Sequence, residues 1–151
     1  MSLSDPWVSP FFAAFSAEVT IARACLSEAN LELFLSAMLN FAVRRIEQAI
    51  MRKRFSLWGG LQIDKEIRAL LSLCSQHLDS TIGIRDKFAR LIQTASVLQV
   101  ERVAELSHGL SNGAGGFGRD WRLTEADVRA ALALRSDLPP AEVAQFRVTR
   151  R

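Results

Sequence analysis

Cysteine and histidine are scarce in this sequence, with two of each in 151 residues. Cys25 and Cys74 are too few for the disulfide framework of a small secreted fold, and each sits where a helix takes a small apolar residue. Both are expected as reduced thiols. A zinc site would have to gather positions 25, 74, 77 and 108. Only Cys74 and His77 are close in sequence, and no second pair repeats their spacing. No metal and no cofactor are therefore expected. Long apolar runs are also missing. The strongest, residues 31–42, is broken by Glu32 and Asn40 and falls short of the roughly 20 residues that a bilayer span needs. No basic residue precedes the first apolar ones, and Asp5 stands among them, so a signal peptide is not expected. No Ser/His/acid order and no paired-carboxylate pocket stands out. The chain is read as non-enzymatic, with no catalytic residue nominated.

What is present is apolar residue at helical spacing. Apolar residues make up 49% of the chain, enough to build a core. The net charge is +3, with 19 basic residues set against 16 acids. That surface is only mildly basic, so a basic helical nucleic-acid-binding module is the alternative reading and not the leading one.

The chain is organised around residues 58–106, which contain no proline. Within them Ile84, Phe88, Leu91, Ala95 and Leu98 fall at steps of 4, 3, 4 and 3, placing all five on one helical face. Upstream, a first helix is predicted from Pro10, with Phe12, Phe15, Val19, Ala22 and Leu26 as its stripe and Phe11, Ala14, Ile21 and Cys25 widening it. Trp7 is placed to pack as a lid. A second helix is predicted over residues 28–53. Leu31, Leu35, Met38, Ala42, Ile46 and Ala49 form its stripe, with Phe34, Leu39 and Phe41 at its edges. Arg52, Lys53 and Arg54 then suit the negative end of the helix dipole, or a site for anionic lipid or an acidic partner. Residues 55–60 read as a connector in which Gly59 and Gly60 permit a reversal, and a third helix is predicted over 62–78.

After the central helix a shorter one is predicted over 100–110. Gly113, Gly115 and Gly118 match G-x-G-x-x-G, but a helix precedes them and no helix opens inside them, so 111–120 reads as a flexible loop. Thr124 is the predicted cap of the next helix, with Asp127 returning the bond and Leu123 and Val128 as a staple. Pro139 and Pro140 break the chain before a last short helix, and the tail from 148 is expected to fray. The fold class is all-α: an elongated antiparallel bundle of about six to seven helices. Residues 1–80 are expected as a bundle and 81–151 as a C-terminal tip.

Three long blocks, GGLQIDKEIRAL, TIGIRDKFARLIQTASVLQVERVAEL and WRLTEADVRAALALRSDL, occur in that order, with DPWV near the start. Together they resemble the C-terminal region of subunit 4 of the conserved oligomeric Golgi complex. The resemblance implies the helical-rod fold of multisubunit tethering complexes. It implies a role in intra-Golgi retrograde vesicle transport and in keeping glycosylation enzymes in place. The implied partners are the other subunits of the oligomeric Golgi complex and, through a full-length subunit, SNARE fusion machinery, with no nucleic acid. The implied location is peripheral, on the cytosolic face of the Golgi membrane. The sequence departs from the pattern in lacking the long N-terminal part of such subunits and in a more glycine-rich loop.

Under this reading the structural or interaction residues are Arg90, Asp127, Phe88, Trp121 and Glu101. Arg90 lies about 120° round from the Ile84 stripe. It either pairs with Asp86 four residues earlier, an exposed pair worth at most about 0.5 kcal/mol, or reaches Asp127 and pins the last helices.

Overall fold

Why each helix starts where it does explains most of the architecture. The computed structural model describes residues 7–78, 83–112 and 120–148. They hold α1 (Val8–Cys25), α2 (Glu28–Ile50), α3 (Leu57–His77), α4 (Ile84–Leu98), α5 (Val103–Asn112), α6 (Glu125–Leu132) and α7 (Pro140–Gln145). No strand occurs among the described residues, only an isolated parallel bridge between Phe55 and Arg135. The all-α class expected from the periodicity is the class observed.

Helix α1 begins two residues before Pro10, not at it. Pro10 is then the third helical residue, where a backbone N–H would have no partner inside the helix and its absence costs nothing. Helix α2 stops at Ile50, so Arg52, Lys53 and Arg54 lie beyond its last turn. Helix α3 starts at Leu57, five residues earlier than predicted. The Ser56 hydroxyl accepts from the Gly59 N–H at 3.3 Å and caps it. Gly59 and Gly60 therefore sit in its first turn and make no reversal. Gly60 has a packing reason: a Cβ there would lie 2.1 Å from the carbonyl oxygen of Leu98. Helix α4 ends at Leu98 as expected but starts at Ile84, later than a cap at Asp79 or Ser80 would place it; Gly83 ahead of it takes φ +65°, a conformation costly for other residues. Helix α5 starts three residues later than expected. Helix α6 opens on the predicted capping box: Thr124 Oγ1 accepts from Asp127 N at 3.1 Å, and Asp127 Oδ2 accepts from Thr124 N at 2.8 Å. Leu123 and Val128 are both buried beside it. The glycines at 113, 115 and 118, the linker 79–82 and the tail 149–151 lie outside the described residues.

The apolar interior falls into two clusters that meet on α4. The first joins α1, α2 and α3 to the α4 stripe Ile84, Phe88, Leu91, Ala95 and Leu98. The second starts at Val97 and takes in Val100, Leu106, Val128, Leu132 and Phe146. Thus α4 is buried on two sides and forms the axis of the molecule.

Two stripes differ from the sequence reading. In α1 the buried residues are Val8, Phe15, Val19 and Ala22, while Ile21, Ala14 and Cys25 face outward and Leu26 is exposed. In α2 they are Leu35, Leu39, Val43 and Ile50. Phe34, Phe41 and Ala49 are exposed instead, with Phe41 at 67%. The outer side of this helix carries Leu33, Phe34, Ala37 and Phe41 among its polar residues, so its periodicity does not single out one face.

Candidate interaction site

Arg90 projects from the flank of α4, between two residues of the helix, Phe88 and Leu91, that are fully buried. Its guanidinium spans three helices. Nη2 and Nε donate to Glu47 Oε1 on α2 at 3.0 and 3.2 Å, and Nη1 donates to Asp127 Oδ2 on α6 at 3.2 Å. Asp127 is the capping-box residue, so one carboxylate both closes the start of α6 and holds it to α4. The Arg90 hydrogen bond, with those from Thr124, lowers the Asp127 pKa to about 2. Asp86 is taken by another cation. Arg122 donates to its carboxylate and, at 3.1 Å, to its backbone carbonyl.

Gln93 adds a second tie between α4 and the segment leading into α6. Its side chain donates to Asp120 O at 2.8 Å and accepts from Arg122 N at 2.7 Å. Trp121, between those two residues, is half-buried and lies with Arg68, Arg85 and Ile92 around a shallow cleft. Glu101 is exposed just past α4.

One buried cation was not singled out by the sequence reading. The Arg135 side chain is 2% exposed. Its Nη1 donates to Leu98 O at 2.7 Å and Val100 O at 2.8 Å, satisfying carbonyls at the C-terminal end of α4. Its other face grips Asp137 at 2.7 and 3.1 Å. Asp137 Oδ2 in turn accepts from Leu57 N at 2.9 Å, at the start of α3. That carboxyl is lowered to about 2, chiefly by Arg135. The backbone continues the seam: Phe55 N donates to Leu134 O at 2.9 Å, and Ser136 N donates to Phe55 O at 2.8 Å. The clue in the sequence was Arg-x-Asp ahead of a proline pair, a pattern too short to name its partners 35 to 80 residues away.

At the other end, Glu66 is buried on α3. It accepts from the Trp7 indole N–H at 2.5 Å and from Gln62 at 2.9 Å. Trp7 thus packs over α3 while its polar edge satisfies a buried acid. Glu47, Glu66, Asp86, Asp127 and Asp137 are each occupied by a donor that holds one element to another. Among the described residues no three His, Cys, Asp or Glu side chains gather as a metal site. The arrangement fixes helices in place.

A family model described as "Conserved oligomeric Golgi complex subunit 4, C-terminal" matches residues 1–130. The chain belongs to that family. Named relatives agree from plants to animals. "Conserved oligomeric Golgi complex subunit 4" of Arabidopsis thaliana is 36% identical over 97% of this chain and 19% of its own length. The Homo sapiens protein of that name is 34% identical over 96% of this chain and 18% of its own length. The Drosophila melanogaster one is 32% identical over 74% of this chain and 14% of its own length. The chain therefore spans about a fifth of the first two relatives. Arg90 and Asp127 both lie in the stretch that the family model matches.

Proposed function

We propose that this chain serves as a helical structural segment of a Golgi vesicle-tethering subunit and catalyses no reaction. The observation that carries the proposal is the match over nearly the whole chain to subunit 4 of the conserved oligomeric Golgi complex. The geometry is in keeping with it: buried Arg135, half-buried Arg90 and the acids they hold are spent on joining helices. The segment contributes rigidity at the end of a longer subunit, and that subunit assembles with the other subunits of the complex and engages SNARE machinery. The location is peripheral, on the cytosolic face of the Golgi membrane. No described helix is long and apolar enough to cross a bilayer. The nucleic-acid alternative gains no support, because Arg44 and Arg45 share the outer side of α2 with Leu33, Ala37 and Phe41 rather than forming an unbroken basic stripe.

The experiment is a chimaera. This chain replaces the matching region of the Homo sapiens relative in cells lacking that relative, and lectin binding to surface glycans is measured together with co-purification of sister subunits. Restored glycans and recovered subunits are the expected result. A stable, well-expressed chimaera that recovers neither would refute the proposal.

A further inference from the structure

Helix α2 turns a row of apolar side chains to solvent. Leu33 and Phe41 lie about 40° to either side of Ala37 round the helix and Phe34 about 60° from it, so the four share one face. Leu33 is 71% exposed, Phe41 67% and Phe34 39%, and Ala37 is exposed with them. The polar residues on the same face are Asn30, Asn40, Arg44 and Gln48, all exposed. No acid lies on it. Glu28 and Glu32 fall about 140° or more from Ala37, and Glu47, about 80° away, is held by Arg90. The face is also symmetric about its middle. Leu33 and Phe41 stand four residues before and after Ala37, and Asn30 and Arg44 stand seven before and after it.

We propose that this face of α2 pairs with the same face of a second copy of the chain, antiparallel, about a two-fold axis at Ala37. In that register Leu33 of each copy meets Phe41 of the other, and Asn30 meets Arg44, whose guanidinium can donate to the Asn30 side-chain oxygen. The small Ala37 at the axis lets the two helices approach to roughly 8 Å. The two Arg44 side chains then stem from points about 21 Å apart along the helix, well beyond the Debye length of about 8 Å. A parallel pair would set them side by side. Leu33, Phe34 and Phe41 offer roughly 300 Å² of apolar surface per copy. With their polar neighbours the pair covers about 1,200 Å² in total, the lower end for a specific interface, so the dimer is weak and depends on concentration. A bilayer suits this face less well. It would strip water from Asn30, Asn40 and Gln48 without returning a partner, and it has no use for the two-fold arrangement. The inference stands apart from the tethering proposal, since it uses only the surface of α2.

The test is sedimentation velocity of the full chain between about 5 and 500 μM, the range in which weak interfaces fill. A monomer–dimer equilibrium is expected. Its dissociation constant should rise at least tenfold in Leu33→Ser/Phe41→Ser and stay unchanged in Trp58→Gln, a substitution of a 78% exposed aromatic on α3. Circular dichroism melts check that each variant folds. Disulfide trapping reads the register independently, in a Cys25→Ser background. Ala37→Cys should cross-link to itself. Leu33→Cys should not, because its two copies lie about 12 Å apart along the axis, but it should cross-link to Phe41→Cys when the two are mixed. The proposal is overturned by a monomer throughout the range, by equal weakening in Trp58→Gln, or by Leu33→Cys trapping itself as readily as Ala37→Cys. A chain that stays monomeric and binds phosphatidylserine vesicles through Leu33 and Phe41 overturns it too.

Discussion

At the scale of single residues, the chain relies on a few polar side chains, each serving two neighbours. Arg90 joins α2, α4 and α6 through Glu47 and Asp127. Its side chain is 41% exposed, so solvent screens the pairs and the energy falls well below that of a buried bridge. Replacing it with Ala should cost about 1–2 kcal/mol in urea unfolding, between an isolated surface pair and a buried triad. Asp127 sets a pH signature. Its folded pKa is about 2, below the usual carboxylate value near 4. The stability it contributes is thus fully present above about pH 4 and is lost as pH falls through about 2. Asp137 acts in the same window. Asp127→Asn should flatten the acid limb of a plot of stability against pH. The two thiols make a further contrast. Cys25 is exposed, whereas Cys74 is buried and its pKa is pushed up to about 11 by burial. In the native state iodoacetamide should modify Cys25 alone, with Cys74 reacting only as fast as the protein opens. Peptide mass spectrometry reads both sites.

At the scale of elements, α4 was legible and its neighbours less so. Five of its apolar residues form one stripe, and the structure buries all five of them. Phe88, fully buried, should cost about 3–5 kcal/mol when cut to Ala. The start of α6 was also legible, because a capping box is a local pattern with a local cause. Helix α2 was harder. Leu33, Phe34 and Phe41 give it apolar residues on its outer side, so the inward face depends on where α1, α3 and α4 lie. Gly59 and Gly60 were misread for a related reason. A glycine pair signals a turn, yet here Gly60 is required by the main chain of α4 passing against α3. Gly60→Ala tests that directly. The clash is with a carbonyl and not a mobile side chain, so a loss of at least about 1–3 kcal/mol is expected in thermal melting. Gly59→Ala, with its nearest contact at 3.4 Å on a side chain, should be much milder. The Arg90 contacts with α2 could not be read at all, since Glu47 carries no mark that separates it from other acids on that helix.

For the whole molecule, the two apolar clusters are coupled through α4 and through the seam at 54–57 and 133–137. Arg54 Nη1 adds a bond to Ala133 O at 2.6 Å beside that seam. Arg135→Ala would leave the carbonyls of Leu98 and Val100 unpaired in the interior and free Asp137. It should destabilise the protein by about 3–5 kcal/mol. Hydrogen exchange should show more. Protection should fall first at the end of α4, the start of α3 and α6, while α1 keeps its protection until global unfolding. Uniform loss across all helices would show instead that the two clusters open as one.

The grip of Arg135 and Asp137 on the middle of the chain also bears on how deletions would be interpreted. A chain cut after Leu132 would keep every apolar residue of the first cluster before that point. It would nevertheless release the carbonyls that close α4 and the amide that opens α3. Loss of binding or solubility in such a shortened protein would not place a partner's footprint on the missing tail. It would report a buckle undone about 35 residues upstream, and only point substitutions that spare this clasp can tell the two apart.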